Sequence, residues 1–451
     1  MDEPFTLFWS QHSVHEILEL AKNENNPPLH FLIVHFWMKL FGIGPISVRF
    51  PSLIFSSLAA AVIFGIGRRH FGWLAGIGAS LLFTLSTEQI YYSHEARTYA
   101  LLSLLVALAI HCFLRVVEEP RKKRNYFLLG IWCTLLIYSH FLGFWVLVML
   151  PFCIILIPER KVLIPRFLLL YLGIILAYAP NLFVMLARLR SVAAAPTWVP
   201  KPHWTQLYGH LNIFWNGSLA TIAFLLVLVG GLVMQFPFAK QRKPAFPESR
   251  QTKKVLVLAL IFSGIYLGIY FQSLVFTPAF IPRYLSWVSI PFFLLVAGGL
   301  SSLFTDLRWQ AIAFGLILLA MIPGFRLNPS NDSAVVPMVQ YVQDRTQPGT
   351  MLIIAPDYFD KTYVYHADSR AFQDHAHWKE NLAARRIFPV NGYNSLPQAT
   401  LDSTKYVILV DDDIQFVYPE NGILEGLKGR FQLVESQHFE KSMDVYLFEK
   451  R

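Results

Sequence analysis

Two arginines stand among aromatic residues at the edges of long apolar runs. Arg97 lies in Tyr91-Tyr92-Ser93-His94-Glu95-Ala96-Arg97-Thr98-Tyr99-Ala100, and Arg283 lies in Phe280-Ile281-Pro282-Arg283-Tyr284. A guanidinium is planar and permanently charged, and it can bind two phosphate oxygens at once. At a membrane boundary, such a pair suits a lipid phosphate whose charge must be stabilised as it leaves. A carboxylate opposite them could deprotonate an acceptor hydroxyl or amine. The acids at the same ends of the apolar runs are few: Asp2, Glu3, Glu16, Glu19, Glu24, Glu88 and Glu95. Glu16 and Glu19 lie on the amphipathic stretch Val14 to Ala21 and read as its solvated face. Asp2-Glu3 precedes the aromatic Phe5, Phe8 and Trp9, and Glu95 sits beside Arg97. Each motif has a plainer reading: tyrosines forming an interfacial belt, and Arg97 as an end residue extending its charge to water. Taken together they supply an acid, a phosphate clamp and a lipid entry route at one depth.

The rest of the chain must hold these groups at a membrane surface. Of 451 residues, 55% are hydrophobic and 15% charged, against about 25% charged in soluble domains. Residues 1–326 carry 26 Lys and Arg against 12 Asp and Glu, a net of +14; residues 327–451 carry 12 against 17, a net of −5. The basic excess therefore belongs to the apolar part. The soluble part is acidic, which argues against nucleic acid as a partner. Ten apolar runs are candidate spans: about 51–67, 73–92, 98–117, 125–139, 141–158, 163–187, 218–238, 254–276, 284–304 and 309–325. The loops holding Arg68-Arg69, Arg121 to Arg124, Arg160-Lys161 and Lys240 to Lys254 are the basic set. By the positive-inside rule they are cytoplasmic. The opposite set holds Arg97, His140 and Arg283, so the candidate chemistry lies outside.

That parity places residues 1–50 outside as a first loop, with residues 51–326 as the membrane domain. The short apolar run Pro27 to Gly42 then reads as an interfacial helix, broken from the next span near Gly44-Pro45. Residues 327–451 change pattern. Short β-rich runs at Met351 to Ile354, Tyr406 to Val410 and Val445 to Phe448, with helices near Ala334 to Val342 and Ile423 to Leu427, predict a small α/β domain, also outside. Asp411-Asp412-Asp413 reads as a solvated turn. Cys112, Cys133 and Cys153 sit in apolar runs with no metal or disulfide spacing. A transporter would keep its binding charges near the midplane. Here they gather at the ends of the runs, so a transporter, or an inactive binder of lipid-linked sugars, is the second reading.

Four stretches resemble the membrane-embedded glycosyltransferases of the C-type fold, in particular bacterial relatives of protein O-mannosyltransferases and of the lipid A aminoarabinose transferase. They are Asp2-Glu3-Pro4-Phe5; Asn26-Pro27-Pro28-Leu29 with Phe36 to Gly42 and Arg49-Phe50-Pro51; Tyr91 to Ala100; and Pro282-Arg283-Tyr284. The resemblance implies an α-helical polytopic fold with a small extracytoplasmic α/β domain in the inner membrane. It implies inverting transfer from a polyprenyl-phosphate sugar to a lipid, glycan or protein acceptor. By that likeness Asp2 is the base with Glu3 beside it, and Glu95 orders the site. Arg97, Arg283 and Tyr284 hold the donor phosphate, and His94, Tyr92 and His140 are acceptor-binding or supporting residues. No cofactor is implied with certainty, because the family includes both metal-dependent and metal-free cases; no metal ligands are assigned. The sequence departs from the family in having Asn26 where a His usually precedes the Pro-Pro pair. The family also carries a transmembrane helix before its acidic motif, whereas Asp2 here follows Met1. The expectation is that this first helix is missing from the sequence.

Overall fold

The computed structural model describes residues 3–23, 26–192, 199–239, 250–327, 334–439 and 443–451. The chain forms two compact units. The larger is His15–Ala195 with Val199–Pro329; the smaller joins Met1–Val14 and Pro196–Trp198 to Ser330–Arg451.

In the larger unit every apolar run is helical, as a segment in lipid must be to satisfy its own backbone. The chain opens with α1 (Glu3–Ser10), which belongs to the smaller unit; in the larger, α2 (Val14–Asn23) is followed by α3 (Leu29–Phe41), α4 (Pro45–Phe71), α5 (Trp73–Thr84), α6 (Thr87–Ser93), α7 (Thr98–Glu118) and α8 (Lys123–Ser139). They are followed by α9 (Phe144–Ile154), α10 (Arg160–Val192), α11 (Thr205–Phe214), α12 (Ser218–Ala239) and α13 (Arg250–Val275). The short α14 (Pro282–Leu285) leads into α15 (Ser289–Leu303), and α16 (Leu307–Met321) ends the series. Among the described residues six segments are long and apolar enough to cross a membrane, or seven if the pair α11 and α12, bent by 90°, is one span. The sequence count of ten includes shorter pieces such as α8, with 17 residues, and α5, with 12.

The run 73–92 is not one helix. It breaks at Leu85-Ser86, where Asn216 substitutes for the interrupted ladder. Its Nδ2 donates to Leu85 O at 2.7 Å, and its Oδ1 accepts from Thr87 N at 2.7 Å. Thr87 Oγ1 adds a bond to Gly324 O at 3.1 Å. Freed backbone groups inside an apolar region need such partners. The break separates α6, which leads into the 91–97 segment, from α5. The expected break before α4 is also present: Gly42 takes φ +80 and Pro45 starts the next helix. Trp37 Nε1 bridges that turn to Ser47 O at 2.9 Å.

Helices α4 and α5 approach so closely that a Cβ on Gly67 would lie 2.7 Å from Gly76 Cα. At one end of the bundle Glu118 of α7 gathers three cationic or titratable partners. Lys254 Nζ of α13 lies at 2.7 Å, Arg69 Nε of α4 at 2.9 Å and His70 Nδ1 at 3.1 Å. This cluster ties three helices, and removal of its only carboxylate would leave Lys254 facing His70 uncompensated.

The smaller unit is a five-stranded sheet of order β2-β1-β3-β5-β4. The strands are β1 (Met351–Ala355), β2 (Ile387–Pro389), β3 (Tyr406–Asp412), β4 (Phe431–Phe439) and β5 (Met443–Lys450). β1 pairs in parallel with β2 and β3, and β5 pairs antiparallel with β3 and β4. Ile353, Leu409, Leu427 and Phe448 meet in its core. The three expected strands and both expected helical stretches are present. The sequence reading passed over β2, only three residues long, and β4, a largely exposed polar edge strand. Asp411 is buried rather than solvated, because its Oδ1 accepts from Ile414 N at 2.9 Å and stops the chain at the strand end.

Helix α1 belongs to this unit. Phe8 is buried, with its ring 4.7 Å from that of Trp378 and 6.0 Å from that of Phe372. Lys361 Nζ stands 5.4 Å over the Phe8 ring, and Gln11 Nε2 donates to Phe372 O at 3.3 Å. Of Phe5, Phe8 and Trp9, Phe8 is the one buried, while Phe5 and Trp9 are half-buried.

Candidate phosphate-binding site

Three short connections in the larger unit build the site. Arg97 is the extended residue that starts α7, and it is buried. The next residue, Thr98, bonds through its hydroxyl to Ser139 O at 3.1 Å and Ser139 Oγ at 2.8 Å. This pins the start of α7 to the end of α8, where His140 follows. Gln89 of α6 donates to Ser286 O at 2.8 Å and to Ser289 Oγ at 3.1 Å, which fixes the segment after Arg283-Tyr284 to the same place.

His140 is the centre of the group. Its ring lies 5.5 Å from that of Tyr284 and 6.3 Å from that of Tyr99, which in turn lies 4.7 Å from Tyr92. The Arg283 guanidinium carbon stands 5.4 Å over Tyr284. Burial first, then the charges of Arg97 and Arg283, push the His140 imidazole down to about 3. His140 Nδ1 accepts from Leu142 N at 3.1 Å, so the neutral ring carries its proton on Nε2 and can donate there. His30 of α3 is its counterpart: buried, with burial and then Arg97 pushing it down to about 3. The result is two guanidinium groups and two neutral imidazoles in one neighbourhood, a donor set matched to phosphate oxygens.

The structure brings Arg97, His140, Arg283 and Tyr284 together, with Tyr92 reaching them through Tyr99. Glu95 is half-buried: Tyr91 OH donates to its carboxylate, and its backbone carbonyl accepts from Ser52 Oγ at 2.6 Å. His94 does not join the cluster. It is exposed, and its Nδ1 donates to Ile90 O of its own helix at 2.9 Å. Glu3 is buried in α1 of the smaller unit, and Asp2 lies outside the described residues. Among the described residues no three His, Cys, Asp or Glu side chains converge as a metal-binding group. The sequence reading has His30 only as part of the interfacial helix Pro27 to Gly42. Its one further signal is its position directly after Pro27-Pro28-Leu29.

Residues 25–183 match the family model described as dolichyl-phosphate-mannose-protein mannosyltransferase. Two solved structures share the architecture. ArnT from Cupriavidus metallidurans in the apo state aligns with a TM-score of 0.51 at 11% identity, covering 98% of this chain and 93% of that one. The Archaeoglobus fulgidus oligosaccharyltransferase complex with Zn and sulfate aligns with a TM-score of 0.51 at 12% identity, covering 98% of this chain and 69% of that one. The chain has the C-type glycosyltransferase fold. No curated protein matches it at the sequence level. Within this C-type chain, the family-matched segment contains His30, Arg97 and His140, whereas Arg283 and Tyr284 lie beyond it.

Proposed function

We propose that this chain is a glycosyltransferase that moves a sugar from a polyprenyl-phosphate donor to an envelope lipid, glycan or protein. The observation that carries this reading is the gathering of Arg97, Arg283 and Tyr284 around the buried His140. Arg97 and Arg283 hold the donor phosphate, and His140 Nε2 and the Tyr284 hydroxyl donate to its remaining oxygens. Asp2 takes the proton of the acceptor hydroxyl or amine as that atom attacks the anomeric carbon. The bond from the anomeric carbon to the phosphate oxygen breaks on the opposite face, so the configuration inverts. The electron pair leaves with the polyprenyl phosphate, whose added charge the two arginines stabilise. Glu3 accompanies the base, and Glu95 orders the segment that carries Arg97. The protein is multi-pass in the inner membrane, with this chemistry and the smaller unit on the extracytoplasmic side.

Binding of undecaprenyl phosphate to the purified chain tests the phosphate clamp. Arg97→Ala removes a charge-assisted contact of roughly 1.5–3 kcal/mol, which is about a 10- to 100-fold weaker Kd. Arg97→Lys should recover only part of the loss, because an ammonium lacks the planar fork. Unchanged affinity in Arg97→Ala would remove Arg97 from the clamp.

A further inference from the structure

Helices α8 and α10 enclose a groove of about 660 Å³ in the larger unit, within the roughly 300–1,000 Å³ range of ligand pockets. Phe127 and Leu169 stand exposed on it. Gly130 and Gly173 line it without side chains of their own: a Cβ on Gly173 would meet nothing within 4 Å, and one on Gly130 would lie 3.0 Å from Leu170 Cδ1. The groove's charged lining is Lys123 and Arg166, with no carboxylate. Arg166 is held in place: it donates to Pro120 O, and its guanidinium carbon lies 5.9 Å over the Tyr126 ring. The neighbouring carboxylate, Glu119, is already engaged by Arg115 at 2.7 Å and Lys122 at 3.4 Å.

We propose that this groove binds one anionic phospholipid of the surrounding bilayer. Its phosphate sits on Lys123 and Arg166, and an acyl chain lies over Gly130 and Gly173. Charge complementarity selects the occupant. Two cations with no acid among them favour a headgroup of net negative charge, and the ammonium of a zwitterionic headgroup would be set against them. The exposed Arg121 and Arg124 flank Lys123 in the chain and add to the same sign, whereas Lys122 pairs with Glu119, and Glu159 lines the adjoining cavity with Arg121. This site makes no use of the residues assigned to sugar transfer and stands whether or not that assignment holds.

Native mass spectrometry of the full chain in detergent, offered equal amounts of phosphatidylglycerol and phosphatidylcholine with matched acyl chains, tests it. The wild type should retain phosphatidylglycerol in preference. Lys123→Gln should lower that preference about fivefold, the effect of one cation near a phosphate surface, and Lys123→Arg should keep it. Gly173→Leu adds bulk where a Cβ meets nothing within 4 Å and should reduce retention of both lipids. Equal retention of the two lipids by the wild type would overturn the proposal. So would a preference that survives Lys123→Gln, or retention of both lipids that survives Gly173→Leu. One-for-one displacement of phosphatidylglycerol by undecaprenyl phosphate would give the groove to the donor chain and would equally overturn it.

Discussion

A neutral imidazole beside two guanidinium groups carries a pH signature. His30 and His140 both have folded values near 3, far below the usual 6.5. Between those values the unfolded chain takes up protons that the folded chain refuses, so stability falls as pH falls from 6.5 toward 3. From pH 7 to pH 5 each imidazole should cost on the order of 2 kcal/mol. Thermal unfolding of the detergent-solubilised chain should therefore shift down across that interval. The shift should shrink in His140→Gln, which cannot be protonated and can still accept from Leu142 N. An identical pH slope in the variant would show that His140 is not held neutral by burial. The arginines of this cluster were legible in the sequence because charge at the edge of an apolar run is costly and conspicuous. His30 was not, since a histidine inside an apolar helix looks like packing until α3 is laid against α4 and α8.

Among the elements, α1 shows what apolar spacing can and cannot disclose. The aromatic residues Phe5, Phe8 and Trp9 are plain in the sequence, but the partners of Phe8 are not, because Phe372 and Trp378 lie more than 300 residues away. Phe8→Ala should cost docking of this helix about 3–5 kcal/mol, the usual loss for a buried phenylalanine. Hydrogen exchange should then rise across residues 3–10 while the amides of β1 and β3 stay protected. Because the proposed base, Asp2, directly precedes this helix in the chain, turnover should fall while undecaprenyl phosphate still binds. Unchanged exchange over 3–10 would mean that Phe8 does not anchor the helix. The break at Leu85-Ser86 was hidden for a similar reason. Neither residue is a glycine or proline, and the side chain that accepts the interruption, Asn216, is 131 residues from Leu85. By contrast Gly42 and Pro45 marked their break locally, through backbone conformations that the residues themselves prefer.

On the scale of the whole molecule, the apolar runs and the change to β-rich pattern after Phe325 were readable because both follow from side-chain periodicity alone. The polar edge strand β4 lacked such a pattern and emerged only through its pairing with β5. The basic loops make a prediction about sidedness. The native cysteines Cys112, Cys133 and Cys153 are all buried, so single introduced cysteines can be read against a quiet background. Ser436→Cys in intact cells should react with a membrane-impermeant maleimide, and Arg121→Cys should react only after permeabilisation. The reverse pattern would place the smaller unit in the cytoplasm and remove its access to an extracytoplasmic donor.

The central claim is tested most directly by polyprenyl phosphate release. The purified full chain in lipid nanodiscs would be given mannosyl, glucosyl or aminoarabinosyl polyprenyl phosphate together with an envelope acceptor extract. The wild type should release free polyprenyl phosphate from at least one donor. Asp2→Asn should release none while binding undecaprenyl phosphate as the wild type does, because the base acts on the acceptor and not on the phosphate. No release by the wild type from any of these donors, or equal release by Asp2→Asn, would contradict the account.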